Sequence, residues 1–270
     1  MWFTIDPFIK IKEVTHIVEN HQTSTEMNQT EERITDLPAA RIGDIVAKNY
    51  HAAGIFKEFG IDFCCGGGLS LEKACSKRNL DLNKVLEKLS GLEKPGPGSE
   101  ENYGAWEPGF LIDHIEQTHH NFVRSKTPEI TAYAAKVAKV HGERFPENIE
   151  IYEKFMALSQ ELMDHLESEE ERVFPIIREI YENRIGGEKI PGDLIHSLRE
   201  ELAQMEEEHE GAGNVMKEIR KLSNNFNPPA DACRTWQVLY LNLAGFEEDL
   251  HKHVHLENNI LFKKAKKLVD

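Results

Sequence analysis

Four of the chain's 13 histidines, His114, His165, His209 and His253, recur at intervals of 51, 44 and 44 residues. Two of them carry a glutamate four positions later, Glu169 and Glu257. That spacing predicts one ligand-bearing helix per repeat, because residues i and i+4 share a helix face. Four imidazoles and two carboxylates are enough to hold a pair of metal ions between the helices of a bundle. The fold must then let several helices turn polar side chains inward, which few architectures tolerate.

The face that each histidine occupies decides whether this reading stands. At about 100° per residue, His253 falls in one apolar sector with Leu239, Leu243, Phe246, Leu250, Val254, Glu257, Ile260 and Leu261, while His251 and His255 land opposite. The same construction groups His165 with Ile151, Phe155, Leu158, Leu162, Leu166, Glu169, Val173 and Ile176. His209 joins Ile195, Leu198, Leu202, Met205, Ala212 and Met216, and His114 joins Phe110, Leu111 and Phe122. A polar side chain in a core stripe is costly unless it is paired or metal-bound. One such histidine is ordinarily a satisfied core residue, but six polar groups at matched helical positions predict a metal site. His119, His120, His141, His196, His251 and His255 read as surface histidines.

The pattern along the chain predicts an all-α protein. Residues 1–35 lack sustained periodicity and form an extension, within which Met27 is an alternative start. Residues 36–92 read as a small domain of three short helices, from about Leu37 to Phe59, Ser70 to Arg78 and Leu82 to Leu89. A linker follows at 93–106, dense in Pro and Gly from Glu93 to Ser99. Four long helical segments, about 108–141, 147–182, 191–222 and 230–266, then make an up-and-down four-helix bundle over 107–268. Pro128 is expected to kink the first of these and Pro175 to disturb the second.

The net charge of −15 argues against nucleic acid and against anionic membrane surfaces. No apolar stretch has the length of a membrane helix and no signal-peptide pattern opens the chain, so the expected location is the cytoplasm. Cys64, Cys65, Cys75 and Cys233 are too few for a disulfide scaffold and read as reduced thiols. Cys75 is expected to be buried in its helix and Cys233 in the core. Cys64 and Cys65, in a glycine-rich turn ahead of a helix, are expected to be exposed and of lowered pKa.

Asp62-Phe63-Cys64-Cys65-Gly66-Gly67, together with the ligand segments Leu111-Ile112-Asp113-His114-Ile115, His165-Leu166-Glu167-Ser168-Glu169, Glu208-His209-Glu210 and His253-Val254-His255-Leu256-Glu257, resembles the repair-of-iron-centres family. These are bacterial di-iron proteins that restore damaged iron–sulfur clusters, and the resemblance spans about residues 36–266. It implies a hemerythrin-like bundle in which His114, His165, His209 and His253 bind two iron ions and Glu169 and Glu257 bridge them, with an oxo or hydroxo bridge between the metals. It also implies Cys64 and Cys65 as contacts for a client or for nitric oxide.

On that ligand count about one position per six-coordinate iron stays open to small molecules such as O2 or NO. Glu161 and Glu208 stand near the ligands and could orient an imidazole, although a solvated helix face is the simpler reading of both. The function that the resemblance implies is repair of clusters in damaged iron–sulfur proteins after nitrosative or oxidative stress, by donating iron or removing nitric oxide. The rivals are a carrier or sensor of O2 or NO, and a di-iron enzyme reducing NO or peroxide. A homodimer is compatible with either.

Overall fold

The computed structural model describes residues 36–92 and 102–270. The expected N-terminal extension, including Met27, and the Pro–Gly stretch from Glu93 to Ser99 lie outside the described residues. Among the described residues every regular element is helical.

Four short helices make up the N-terminal domain: α1 (Ile42–Lys48), α2 (Ala52–Glu58), α3 (Leu71–Lys77) and α4 (Leu82–Ser90). The single helix expected from Leu37 to Phe59 is thus two. Asn49 adopts an extended backbone, and its side-chain oxygen accepts a hydrogen bond from the His51 amide at 3.0 Å, an alternative partner that competes with helix continuation. Gly60 ends α2 at φ 65°. Ser70, where the second helix was expected to start, caps α3 by accepting from the Lys73 amide at 3.4 Å, and Asp81 caps α4.

The bundle consists of α5 to α8. Helix α5 runs as Pro108–His114, a π-helical turn Ile115–His120, and Asn121–His141. Helix α6 runs as Glu147–Ser168, a π turn Glu169–Val173, and Phe174–Gly186. Helix α7 is Gly192–Leu222, and α8 is Arg234–Leu256, a π turn Glu257–Leu261, and Phe262–Val269. Pro128 does not break α5, which continues through it. Pro175 sits in the first turn after the π turn of α6, where the widened helix accommodates a residue without an N–H.

Two apolar clusters fill the interior, and each bundle helix passes from one to the other at its polar core positions. Along α5 the order is Ile115, His120, Val123; along α6 it is Leu166, Glu169, Val173; along α7, Met205, His209, Ala212; along α8, Val254, Glu257, Ile260. The order of the clusters reverses from one helix to the next, which is the up-and-down arrangement. Each fully buried large apolar side chain contributes about 1.5–3 kcal/mol, so the clusters on both sides fix the polar layer between them.

The N-terminal domain shares the larger cluster with the bundle and docks on α8. Asn259, buried in the π turn of α8, donates to the carbonyls of Phe63 at 3.2 Å and Cys64 at 2.9 Å. Gly43 and Gly67 allow that approach, since a Cβ there would lie 2.0 and 2.5 Å from the Asn259 Oδ1. Asn259→Ala is expected to strand both carbonyls and to lower unfolding stability by about 1–3 kcal/mol. Urea denaturation of the metal-free protein checks this, and an unchanged midpoint would contradict it.

Candidate metal centre

Six buried side chains converge between the four bundle helices. His120, Glu169, His253 and Glu257 form one quartet and His165, Glu169, His209 and Glu257 a second, each with its ligand atoms within 4.8 Å of one another. Both glutamates belong to both quartets. His120 Nε2 lies 3.4 Å from Glu169 and 3.7 Å from Glu257, and His253 Nε2 lies 2.8 Å from Glu257. On the other side His165 Nε2 is 3.5 Å from Glu169, and His209 Nε2 is 3.2 Å from Glu257 and 3.8 Å from Glu169.

The residues fit cations on their own chemistry. Both Glu169 oxygens and the Glu257 Oε2 are buried without a hydrogen-bond donor, as is His120 Nε2. The Nε2 atoms of His165 and His209 approach to 3.0 Å, so two lone-pair positions point at common space. Burial opposes protonation of His120 and His209, yet the two glutamates overcome it and hold them up to about 10 and about 9. Cations binding to these nitrogens would displace those protons at neutral pH.

His114, expected as the first ligand, lies outside both quartets. It is half-buried against Tyr103 and Trp106, with Nδ1 3.4 Å from Thr118 Oγ1. His120, expected at the surface, is fully buried in its place. The π turn Ile115–His120 shifts the helical register, and His120 then leads the buried stripe Val123, Thr127, Ile130, Ala134, Val137. The sequence held a signal for this: counted from His120, the intervals become 45, 44 and 44.

Three other histidines expected at the surface are also covered. His119 is buried with Nδ1 2.9 Å from Asp249, whereas His255 packs against Tyr50 and Phe63 and His251 against Phe63. The last two do point away from the metal ligands, but the N-terminal domain covers that face. Burial, with Lys263 nearby, pushes His255 down to about 3. His141 is half-buried beside Trp236, and His196 is exposed as expected.

Around the ligands, His120 Nδ1 meets Glu170 at 2.7 Å, His165 Nδ1 meets Glu208 at 2.6 Å and His209 Nδ1 meets Asn258 at 2.9 Å. Such partners fix the ring and its tautomer. Glu208 therefore orients an imidazole rather than merely facing solvent. Glu161 is exposed on the wall of a cavity of about 570 Å³ that His165, His209, His253 and Glu208 also line.

The two adjacent cysteines face the bundle, contrary to the expected exposure. Cys64 is buried and Cys65 half-buried, with Cys65 Sγ 3.5 Å from the His209 carbonyl. They precede the Ser70 cap of α3 by several residues, so the helix N-terminus does not act on them. Contact with the Cys65 sulfur, then burial, pushes Cys64 up; the same contact lowers Cys65, helped by His209 and Lys217. Cys75 is buried as expected, but Cys233 is exposed at the start of α8, its Sγ 3.2 Å from His141 Nε2.

The sequence that builds this site has relatives among known proteins. The hemerythrin HHE cation-binding domain matches residues 111–265, and the ScdA_N model, described as a domain of unknown function, matches residues 39–93. The iron–sulfur cluster repair protein ScdA of Staphylococcus haemolyticus is 30% identical over 225 residues, 83% of this chain and 96% of its own. The probable iron–sulfur cluster repair protein of Haemophilus influenzae is 36% identical over 215 residues, 79% of this chain and 91% of its own. The iron–sulfur cluster repair protein YtfE of Musicola paradisiaca is 33% identical over 224 residues, 83% and 95% of the two chains. The chain belongs to this iron–sulfur cluster repair family. This family member joins a dicysteine domain to a bundle that matches a cation-binding domain, and among its described residues no helix is long and apolar enough to cross a membrane.

Proposed function

We propose that this protein repairs iron–sulfur clusters damaged by nitrosative or oxidative stress, working from a bridged pair of iron ions held by His120, His165, Glu169, His209, His253 and Glu257. The observation that carries the reading is the sharing of Glu169 and Glu257 between two histidine pairs in one buried layer. Glu169 and Glu257 would each serve both cations, which would bring two bound ions close together. The mixed imidazole and carboxylate donor set suits iron. When bound, the iron pair supplies one-electron chemistry and open positions for a small ligand such as NO, and it is also a source of iron to give away.

The chain's own residues set the terms of exchange. The apolar clusters bound the layer on either side, and Glu170, Glu208 and Asn258 hold three imidazoles in register. The cavity beside His165, His209 and His253 is ringed by Glu161, Asp164, Glu167, Glu171 and Glu208, with Arg172 the one arginine or lysine among the described residues that line it. That charge favours passage of cations and neutral molecules over anions. Location in the cytoplasm, with damaged iron–sulfur proteins as partners, is part of the same proposal.

The test is reactivation of a cluster-dependent hydratase damaged by peroxide or by an NO donor. Stoichiometric iron-loaded protein is expected to restore activity well above an equal amount of free ferrous iron. With isotopically labelled iron in the repair protein, label in the restored cluster distinguishes donation from NO removal. No gain over free iron would overturn the proposal.

A further inference from the structure

We propose that the two metal positions differ in grip, and that the ion held by His120 and His253 leaves first. The inference rests on the di-iron reading above and adds which of the two ions is exchangeable.

Three of the four ligand imidazoles have their second ring nitrogen fixed by an oxygen acceptor. His120 Nδ1 meets Glu170, which Arg124 grips with two hydrogen bonds of 2.8 and 2.9 Å. His165 Nδ1 meets Glu208, which also accepts from Gln204 at 2.8 Å, and His209 Nδ1 meets Asn258. His253 is the exception: its Nδ1 is buried and has no partner.

Its ring is held instead by stacking. His119 lies parallel to it, centroids 5.5 Å apart and 7° between planes, and is itself fixed by Asp249. A stacked face restrains rotation about the Cβ–Cγ bond, but unlike an acceptor on Nδ1 it neither selects the tautomer nor strengthens Nε2 as a donor to metal. A hydrogen-bonded acceptor also raises the basicity of the imidazole, and loss of such a partner typically weakens a metal site by about 10–100-fold. The His165–His209 position therefore has both imidazoles oriented, and the His120–His253 position only one. The cavity that reaches the site is lined by His165 and His209 as well as by His253, so the order of release follows from grip and not from access.

The experiment loads the protein anaerobically with ferrous iron, counts the iron retained, and mixes it with excess ferrous chelator while the coloured complex is followed. Wild type is expected to release iron in two phases of similar amplitude, with rates separated by about 10–100-fold. Glu208→Gln weakens the acceptor on His165 by removing its charge, and Asn258→Leu removes the acceptor on His209 altogether. Both are expected to speed the slow phase and leave the fast one unchanged, while Glu170→Gln speeds the fast phase. A single phase in wild type, or acceleration of the fast phase by Glu208→Gln and Asn258→Leu, would overturn the proposal. Loading that stops at one iron per chain would instead refute the di-iron reading, and it would be seen before any chelator is added.

Discussion

Replacing His120 with alanine is expected to cut the iron content from about two per chain to about one or less, whereas His114→Ala keeps it at the wild-type level. The first change removes a fully buried imidazole whose Nε2 faces Glu169 and Glu257 and leaves its quartet with three donors. It also withdraws the group that balances the two buried carboxylates on that side, so the remaining ligands lose their mutual positioning. The second change removes a ring that touches Tyr103, Trp106 and His119 but lies in neither quartet. Its cost is lost aromatic packing, about 1–2 kcal/mol. Iron analysis with thermal unfolding on the two variants separates these effects. The reverse pattern, with His114→Ala empty and His120→Ala full, would return the ligand to the position expected from the longer interval.

Arg220→Ala is expected to be among the most destabilising single changes away from the metal. Glu247 of α8 is 1% exposed, and Arg220 of α7 grips it with both Nε, at 2.8 Å, and Nη2. Removing the guanidinium leaves a buried carboxylate unpaired, which costs about 3–5 kcal/mol in fully buried pairs. The Arg220 side chain is 31% exposed, so the lower end of that range applies. Its stacking over Phe226 at 4.8 Å is lost as well. Replacing both partners, Arg220→Leu with Glu247→Leu, should recover most of the loss because no orphaned charge remains. Urea denaturation of the metal-free proteins reads this without a contribution from metal binding. A double variant as unstable as Arg220→Ala would assign the effect to packing alone.

The His-x-x-x-Glu pairs on α6 and α8 were legible because the π turns of those helices begin only at Glu169 and Glu257, so the 3.6-residue period holds from each histidine to its glutamate. Their helices were legible from the same period, and the start of α3 at Ser70 from the capping chemistry of serine. On α5 the period breaks at the π turn, so a helical wheel anchored on Leu111 carries the wrong phase past Ile115 and selects His114. The faces of His251 and His255 were placed correctly, but periodicity describes one helix and cannot report that another domain covers it. The same limit hid the exposure of Cys233 and the inward turn of Cys64 and Cys65. The acceptors Glu170 and Asn258 stand 50 and 49 residues from the imidazoles they hold, so only tertiary structure pairs them.

The central claim is that two iron ions share Glu169 and Glu257. Mössbauer spectroscopy of protein loaded with 57Fe and oxidised, recorded at low temperature in zero and strong applied field, tests it most directly. Two ferric ions bridged through both carboxylates are predicted to couple antiferromagnetically, giving quadrupole doublets and a diamagnetic ground state at about two irons per chain. Magnetically split spectra of isolated high-spin ferric ions, or a single iron per chain, would contradict the account.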